Sequence, residues 1–298
     1  MTVTRRSLAL NVVLAVVKTS VGQAAHSQAL VADGLHSLAD LAGDIAALLG
    51  LSIAAKPGDD DHPYGHHKFA SLATLFVAAL VLSFCTLLII KSASSLLAPA
   101  PAMPGWPALA VAVVSLFAKE GFYHYASRQA RRLKSRVLAA GALDHRADAF
   151  ASLLATAAIL AALLGGPAWA FLDKVAGLAL GGYLALNGAN LMLQSCADLL
   201  DTAPRREIIN DLREHVLAVP GTVAYHNFRA RRVGDLYEVD LHLQVDEHLS
   251  VEAGHDIAGR VKRAILAKHP EVVEVLVHLE PASALRDTGV HDRRAGSA

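Results

Sequence analysis

The stretch Ser27-Gln28-Ala29-Leu30-Val31-Ala32-Asp33-Gly34-Leu35-His36-Ser37-Leu38-Ala39-Asp40-Leu41-Ala42-Gly43-Asp44 decides how the rest of the chain is read. It sits in an otherwise apolar run over residues 28–55, longer than the roughly 20 residues a helix needs to cross a bilayer core. At about 100° per residue, Asp33, His36, Asp40 and Asp44 fall at about 0°, 300°, 340° and 20°, so the four share one stripe. An ionisable side chain in mid-bilayer costs about 2.5–3.5 kcal/mol on insertion scales. Four on one stripe mark function by default.

Working outward, five further apolar runs (7–26, 69–97, 107–127, 137–164 and 170–196) make six candidate spans. The first could imitate a signal peptide, but it lacks a small-x-small cleavage site and more spans follow, so it reads as a retained helix. Lys and Arg mark alternate connections: Arg5 and Arg6, then Lys56 and Lys68, then Arg128, Arg131, Arg132, Lys134 and Arg136, then Arg205 and Arg206. The turn around His26, the Pro-rich 98–107 stretch (Pro99, Pro101, Pro104, Pro107) and Gly165-Gly166-Pro167 have none. By the positive-inside rule both termini are expected in the cytoplasm.

Composition agrees. Of 298 residues 54% are apolar and only 18% charged, with Lys+Arg and Asp+Glu at 27 each. The balance argues against nucleic acid as a partner, and the apolar content excludes disorder and a purely soluble enzyme. The charges are unevenly spread: residues 1–203 hold 14 basic and 12 acidic side chains, while 204–298 hold 13 and 15. Cys85 and Cys196 lie in apolar stretches, with no disulfide framework and no CxxC motif.

After Pro204 the pattern predicts a helix over 205–218, strands over 224–231 and 236–246 joined at Val233-Gly234-Asp235, an amphipathic helix over 250–268 and a strand over 272–279. The fold class is therefore an α-helical polytopic membrane protein with six transmembrane helices and a C-terminal α+β (αββαβ) cytoplasmic domain, with helices on one face of a small sheet. The domains expected are 1–203, 204–283 and a disordered polar tail over 284–298.

The fifth span repeats the theme of the second with Asp144, His145, Arg146 and Asp148. His36/Asp40 and Asp144/Asp148 are i,i+4 pairs, each on one helix face. If spans 2 and 5 pack together, one imidazole and three carboxylates can converge as a tetrahedral N/O site for a divalent first-row metal. The competing reading is interhelical hydrogen bonding. It is weakened because only Arg146 stands nearby as a counter-charge. Asp33 is expected near the outer mouth and Asp44 along the same aqueous path, while His145 and Arg146 point elsewhere. No HExxH or G-x-S-x-G motif supports a membrane enzyme.

Ser27 to Asp40, then His62-Pro63-Tyr64-Gly65-His66, then Asp144-His145-Arg146-Ala147-Asp148 together resemble the cation diffusion facilitator family, over about residues 7–281. The resemblance implies a homodimeric carrier in the bacterial inner membrane that moves divalent metal out of the cytoplasm in exchange for protons by alternating access. It places the transport site at His36, Asp40, Asp144 and Asp148. One His and three Asp depart from the two-His pattern of the most zinc-selective members, so Zn2+ is the first choice and Fe2+, Mn2+, Cd2+ and Co2+ stay open. His36, with an unperturbed pKa of about 6.5, is the natural proton carrier. Asp59, His62 and His66 match a second, loop-located metal site; a solvated acidic turn is the alternative. His226, His242, His255 and His278 match a cytoplasmic regulatory metal pair at the dimer interface, with Glu280 where relatives carry Asp. Lys68 and Asp201 match a charge pair linking span 3 to the end of span 6, with snorkelling of Lys68 the alternative. His67 has no counterpart, and His215, His248 and His269 are read as surface residues. A non-transporting, metal-sensing or scaffold member of the family is the functional alternative.

Overall fold

The computed structural model describes residues 2–98, 102–133, 136–234 and 236–283. The predicted tail from 284 lies outside them, as do Pro99, Pro101, Lys134 and Asp235. The chain forms α1 (Thr2–Ala24), α2 (Gln28–Ala54), α3 (Lys68–Leu96), α4 (Trp106–Leu133), α5 (Arg136–Gly165), α6 (Phe171–Leu199), α7 (Arg206–Leu217), β1 (Ala224–Val233), β2 (Leu236–Val245), α8 (Val251–Lys268) and β3 (Val272–Pro281). Among the described residues, four stretches, 28–54, 68–96, 142–165 and 167–199, are long and apolar enough on their own to cross a membrane. The first helix adds the shorter apolar segment Leu8–Ala24. The fourth carries Lys119 and Glu120 in its middle, which its environment must accommodate.

The chain divides into two compact units. One holds residues 1–49 and 73–193, the other 50–72 and 194 onward. In the first, small residues set the helix spacing: Ala29 and Ala32 of α2, Ala108 and Ala112 of α4, Ala155 of α5 and Ala176 of α6 are buried in one cluster with Leu30, Leu88, Ile159 and Leu180. Lipid offers apolar side chains nothing less favourable than a neighbouring helix, so close contact between small residues is what holds such helices. A Cβ at Gly34 would stand 2.5 Å from Thr19 Oγ1, and one at Gly177 would stand 2.8 Å from Gln28 Cβ. Hence α1 and α6 both press against α2. Its N-terminus is closed by the buried Asp173 of α6, whose carboxylate accepts from Ser27 Oγ at 2.5 Å and from the Gln28 N–H at 2.9 Å. Lys174 Nζ, also buried, donates to the same carboxylate at 2.8 Å and to the His26 carbonyl at 3.0 Å. The sequence reading did not foresee this cap.

In the second unit the sheet order is β1-β2-β3, antiparallel between the first two strands and parallel between the last two. The crossover from β2 to β3 runs through α8. Alternate residues Val239, Leu241, Leu243 and Val245 face Leu212 and Val216 of α7 and Ile257, Val261 and Ile265 of α8 in one core. Of the intervening residues, Glu238, Asp240 and His242 are partly exposed on the other face, while Gln244 is fully buried.

Candidate metal centres

The stripe on α2 meets α5 at one point. His36 Nε2 lies 3.1 Å from Asp148 Oδ1, and His36 Nδ1 lies 3.8 Å from Asp40 Oδ1. One ligand atom from each of His36, Asp40 and Asp148 falls within 4.8 Å of the others. Asp40 Oδ2 and His36 Nδ1 are buried with no hydrogen-bond partner among the described residues. Buried polar atoms are nearly always satisfied, so an unsatisfied carboxylate oxygen beside an unsatisfied imidazole nitrogen suits a cation that carries its own charge. Asp144, one turn before Asp148, is exposed and stands outside this group.

Two lysines absent from the sequence reading surround the group. Lys119 of α4 is fully buried, and its Nζ donates to Asp148 Oδ2 at 2.6 Å. Lys18 of α1, equally buried, pairs with Asp33 at 2.8 Å, and Ser152 Oγ donates to the same carboxylate at 2.9–3.0 Å. Asp33 is wholly enclosed. One expectation is corrected: Arg146 is not the counter-charge, because it stacks on Tyr123 at 4.9 Å and donates to that hydroxyl. The signal was present as a lone Lys in each of two apolar runs, but nothing in the sequence says which carboxylate each one meets. His145 is buried edge-on to the Phe122 ring.

The α2–α3 loop gathers Asp59, His62 and His66. His62 Nδ1 and His66 Nε2 stand 3.5 and 3.4 Å from the two Asp59 carboxylate oxygens. His66 Nδ1 faces the Pro57 carbonyl at 3.2 Å, which places the ring proton there and leaves Nε2 to ligate. The His62 N–H donates to Asp59 Oδ1 at 2.7 Å and holds that carboxyl below the usual aspartate range.

On the open face of the sheet, register does what sequence separation conceals. His226 pairs with His242 across β1–β2, and His242 pairs with His278 across β2–β3, so the three histidines form one row. The register shifts between His226 and Arg229, with Asn227 at φ 48°, so one extra residue on β1 reverses which residues face outward. Glu280, two residues beyond His278, places Oε2 2.7 Å from His226 Nε2 and Oε1 2.7 Å from His242 Nδ1. Partial burial would raise its carboxyl, but these two hydrogen bonds outweigh it and hold Glu280 below the usual glutamate range. His278 is more exposed, 3.6 Å from Glu280 Oε1. His255 is exposed on α8, whose core residues pack on the opposite face, and it is not in the row. The remaining predicted pair is also in place: Lys68 Nζ lies 2.8 Å from Asp201 Oδ1, both half-exposed, with Arg231 Nη1 3.6 Å from the other oxygen.

Residues 4–200 match the family described as Cation efflux transmembrane domain, and 204–282 match Cation efflux protein, cytoplasmic domain. Metal tolerance protein C1 of Arabidopsis thaliana is 32% identical across 93% of this chain, which spans 62% of that relative's length. Manganese efflux system protein MneP of Bacillus subtilis is 31% identical over 92% of this chain and 94% of its own. Cation-efflux pump FieF of Klebsiella pneumoniae is 27% identical over 87% and 85% respectively.

Proposed function

The chain belongs to the cation efflux family, the cation diffusion facilitators, integral membrane transporters of divalent cations, and from that premise we propose that its cargo binds at His36, Asp40 and Asp148. The observation that carries this reading is the pair of buried, unpartnered ligand atoms, Asp40 Oδ2 and His36 Nδ1, set beside Asp148. Asp144 joins as the fourth ligand when α2 and α5 close on the ion. The division at residue 203 into membrane and cytoplasmic parts, and cytoplasmic termini, are part of the same proposal.

The chain's own residues set the exchange. Before the ion arrives, the Lys119 ammonium holds Asp148. A divalent cation brings more charge to the same carboxylate and displaces that ammonium. Binding requires a neutral imidazole and ionised carboxylates, so protons arriving from the outer side compete for His36 and the three aspartates and release the ion. Alternating exposure of one site to two sides then makes the protein a metal/proton antiporter.

Zn2+ is the first reading for the cargo, since an imidazole with carboxylates gives it tetrahedral N/O ligation. Mn2+ is the second, because carboxylate-rich sites suit it and the relative MneP is described as a manganese efflux protein. In the cytoplasmic domain, His226, His242, His278 and Glu280 fit a regulatory Zn2+, with His255 supplied by a second copy. The matching cytoplasmic domain of cation efflux proteins is a dimerising one. The loop group Asp59, His62 and His66 fits a third ion.

Purified protein in liposomes loaded with a metal-sensitive dye and a pH dye tests the whole reading. Flux compared across Zn2+, Mn2+, Fe2+, Cd2+ and Co2+ identifies the cargo, and opposed proton movement is the expected companion. Metal binding without flux of any of these ions would leave the non-transporting, sensing alternative in its place.

A further inference from the structure

A fourth cluster lies in the soluble fold, away from the histidine row. Asp211 and His215 are one turn apart on α7, and His269 caps the C-terminus of α8. His215 Nδ1 is 3.2 Å from His269 Nε2, 3.7 Å from Asp211 Oδ1, and Asp211 Oδ2 is 3.7 Å from His269 Nε2. We propose that Asp211, His215 and His269 bind a divalent metal ion such as Zn2+, at a site separate from the transport, loop and histidine-row centres.

Four observations carry it. Ligand atoms about 2.0–2.2 Å from a tetrahedral Zn2+ stand about 3.3–3.6 Å apart, and the three separations bracket that range. Glu271 Oε1 lies 3.3 Å from His269 Nδ1, so the proton sits on Nδ1 and Nε2 presents its lone pair to the cluster, the usual outer partner of a ligating imidazole. His269 is only 4% exposed and is fixed from both sides, its N–H donating to the Ile265 carbonyl and its carbonyl accepting from Val272. Lastly, Asp211 is exposed, so an ion has a route in and the remaining positions are left for water.

In the ion-free arrangement His215 Nδ1 faces the Asp211 carbonyl at 2.8 Å. Loading moves that proton to Nε2, a tautomer change without net charge, and exchanges a hydrogen bond for a metal bond. Two carboxylates, Asp211 and Glu271, are then neutralised by one dication. The consequence is mechanical: the ion ties α7, the first helix of the soluble fold, to the corner where α8 turns into β3.

The full-length protein in detergent, stripped and then equilibrated with Zn2+, tests this. Zn2+ per protomer is counted, and amide exchange is followed over 211–217 and 268–272. Asp211→Asn and His215→Ala should each lose about one Zn2+ per protomer and lose the Zn2+-dependent slowing of exchange in both segments. Asp40→Ala, which disables the proposed transport site, should keep the Zn2+-dependent slowing of exchange in both segments, so failure here is separable from failure of the transport reading. Asp211 is exposed, so Asp211→Asn keeps the fold if His215→Ala does not. Zn2+-dependent protection equal in wild type and both variants, or absent from wild type, overturns the proposal.

Discussion

The two histidine-carboxylate centres, one among α2, α4 and α5 and one on the open face of the sheet, use similar ligands and opposite electrostatics. In the first, Asp148 is already paired with a buried lysine, and a second lysine holds Asp33 one turn away. On the sheet, Glu280 is held by imidazoles alone, with no lysine or arginine on it among the described residues. The difference follows from the solvent. A buried carboxylate in hydrocarbon is costly unless it is paired, so the protein supplies Asp148 with its own cation, with which an arriving ion would compete. On a half-exposed sheet, water and two rings suffice, and a metal meets no built-in rival. On the proposed reading, the first centre would release its ion more readily than the second.

Removing the shared carboxylate should have the largest effect. Asp148→Ala strips His36 and Lys119 of their partner at once, and metal flux in proteoliposomes should fall to the protein-free background. The lysines come next. Breaking a buried pair costs about 3–5 kcal/mol, so Lys119→Met and Lys18→Met should both lower the metal-free melting temperature by several degrees or more. Only Lys119→Met should be rescued by added Zn2+, because only its orphaned carboxylate belongs to the proposed cargo site. Equal rescue of both would show that the two carboxylates do not differ in metal binding.

On the sheet, Glu280→Gln should weaken cytoplasmic Zn2+ binding at least about tenfold, the scale seen when a ligand or its partner is altered, as read by calorimetry. Transport at saturating metal should persist. Glu280 is depressed, so its carboxylate supports the fold fully above the ordinary glutamate value of about 4.3 and loses that support only as pH falls through its lower folded value. The part of the difference in β1 and β3 exchange protection between wild type and Glu280→Gln that comes from ionisation of Glu280 should therefore still be present at pH 5 and be lost only in more acidic solution. Smallest of all is the half-exposed pair: Lys68→Ala should cost no more than about 1 kcal/mol, read as a melting shift of a few degrees at most.

Six apolar runs, the αββαβ order and the i,i+4 pairs were legible because periodicity and hydropathy are local properties. What was not legible depended on which element meets which. Lys18 and Lys119 interrupt apolar runs without announcing a partner, and Arg146, the visible cation, belongs to Tyr123. The row His226, His242 and His278 needed strand register, and the extra residue after His226 defeats simple alternation. His269 followed by Pro270 reads as an exposed helix end, whereas α7 folds back to bury it. Asp144 lies one turn before Asp148 but is exposed, whereas Asp148 is buried against Lys119.

The central claim is that His36, Asp40 and Asp148 form the cargo site. Metal uptake and proton counterflow in proteoliposomes, wild type against Asp40→Ala at matched protein density, test it most directly. Asp40→Ala should abolish both signals while retaining Zn2+ at the cytoplasmic histidine row. Unchanged flux in Asp40→Ala would contradict the account and move the transport site elsewhere.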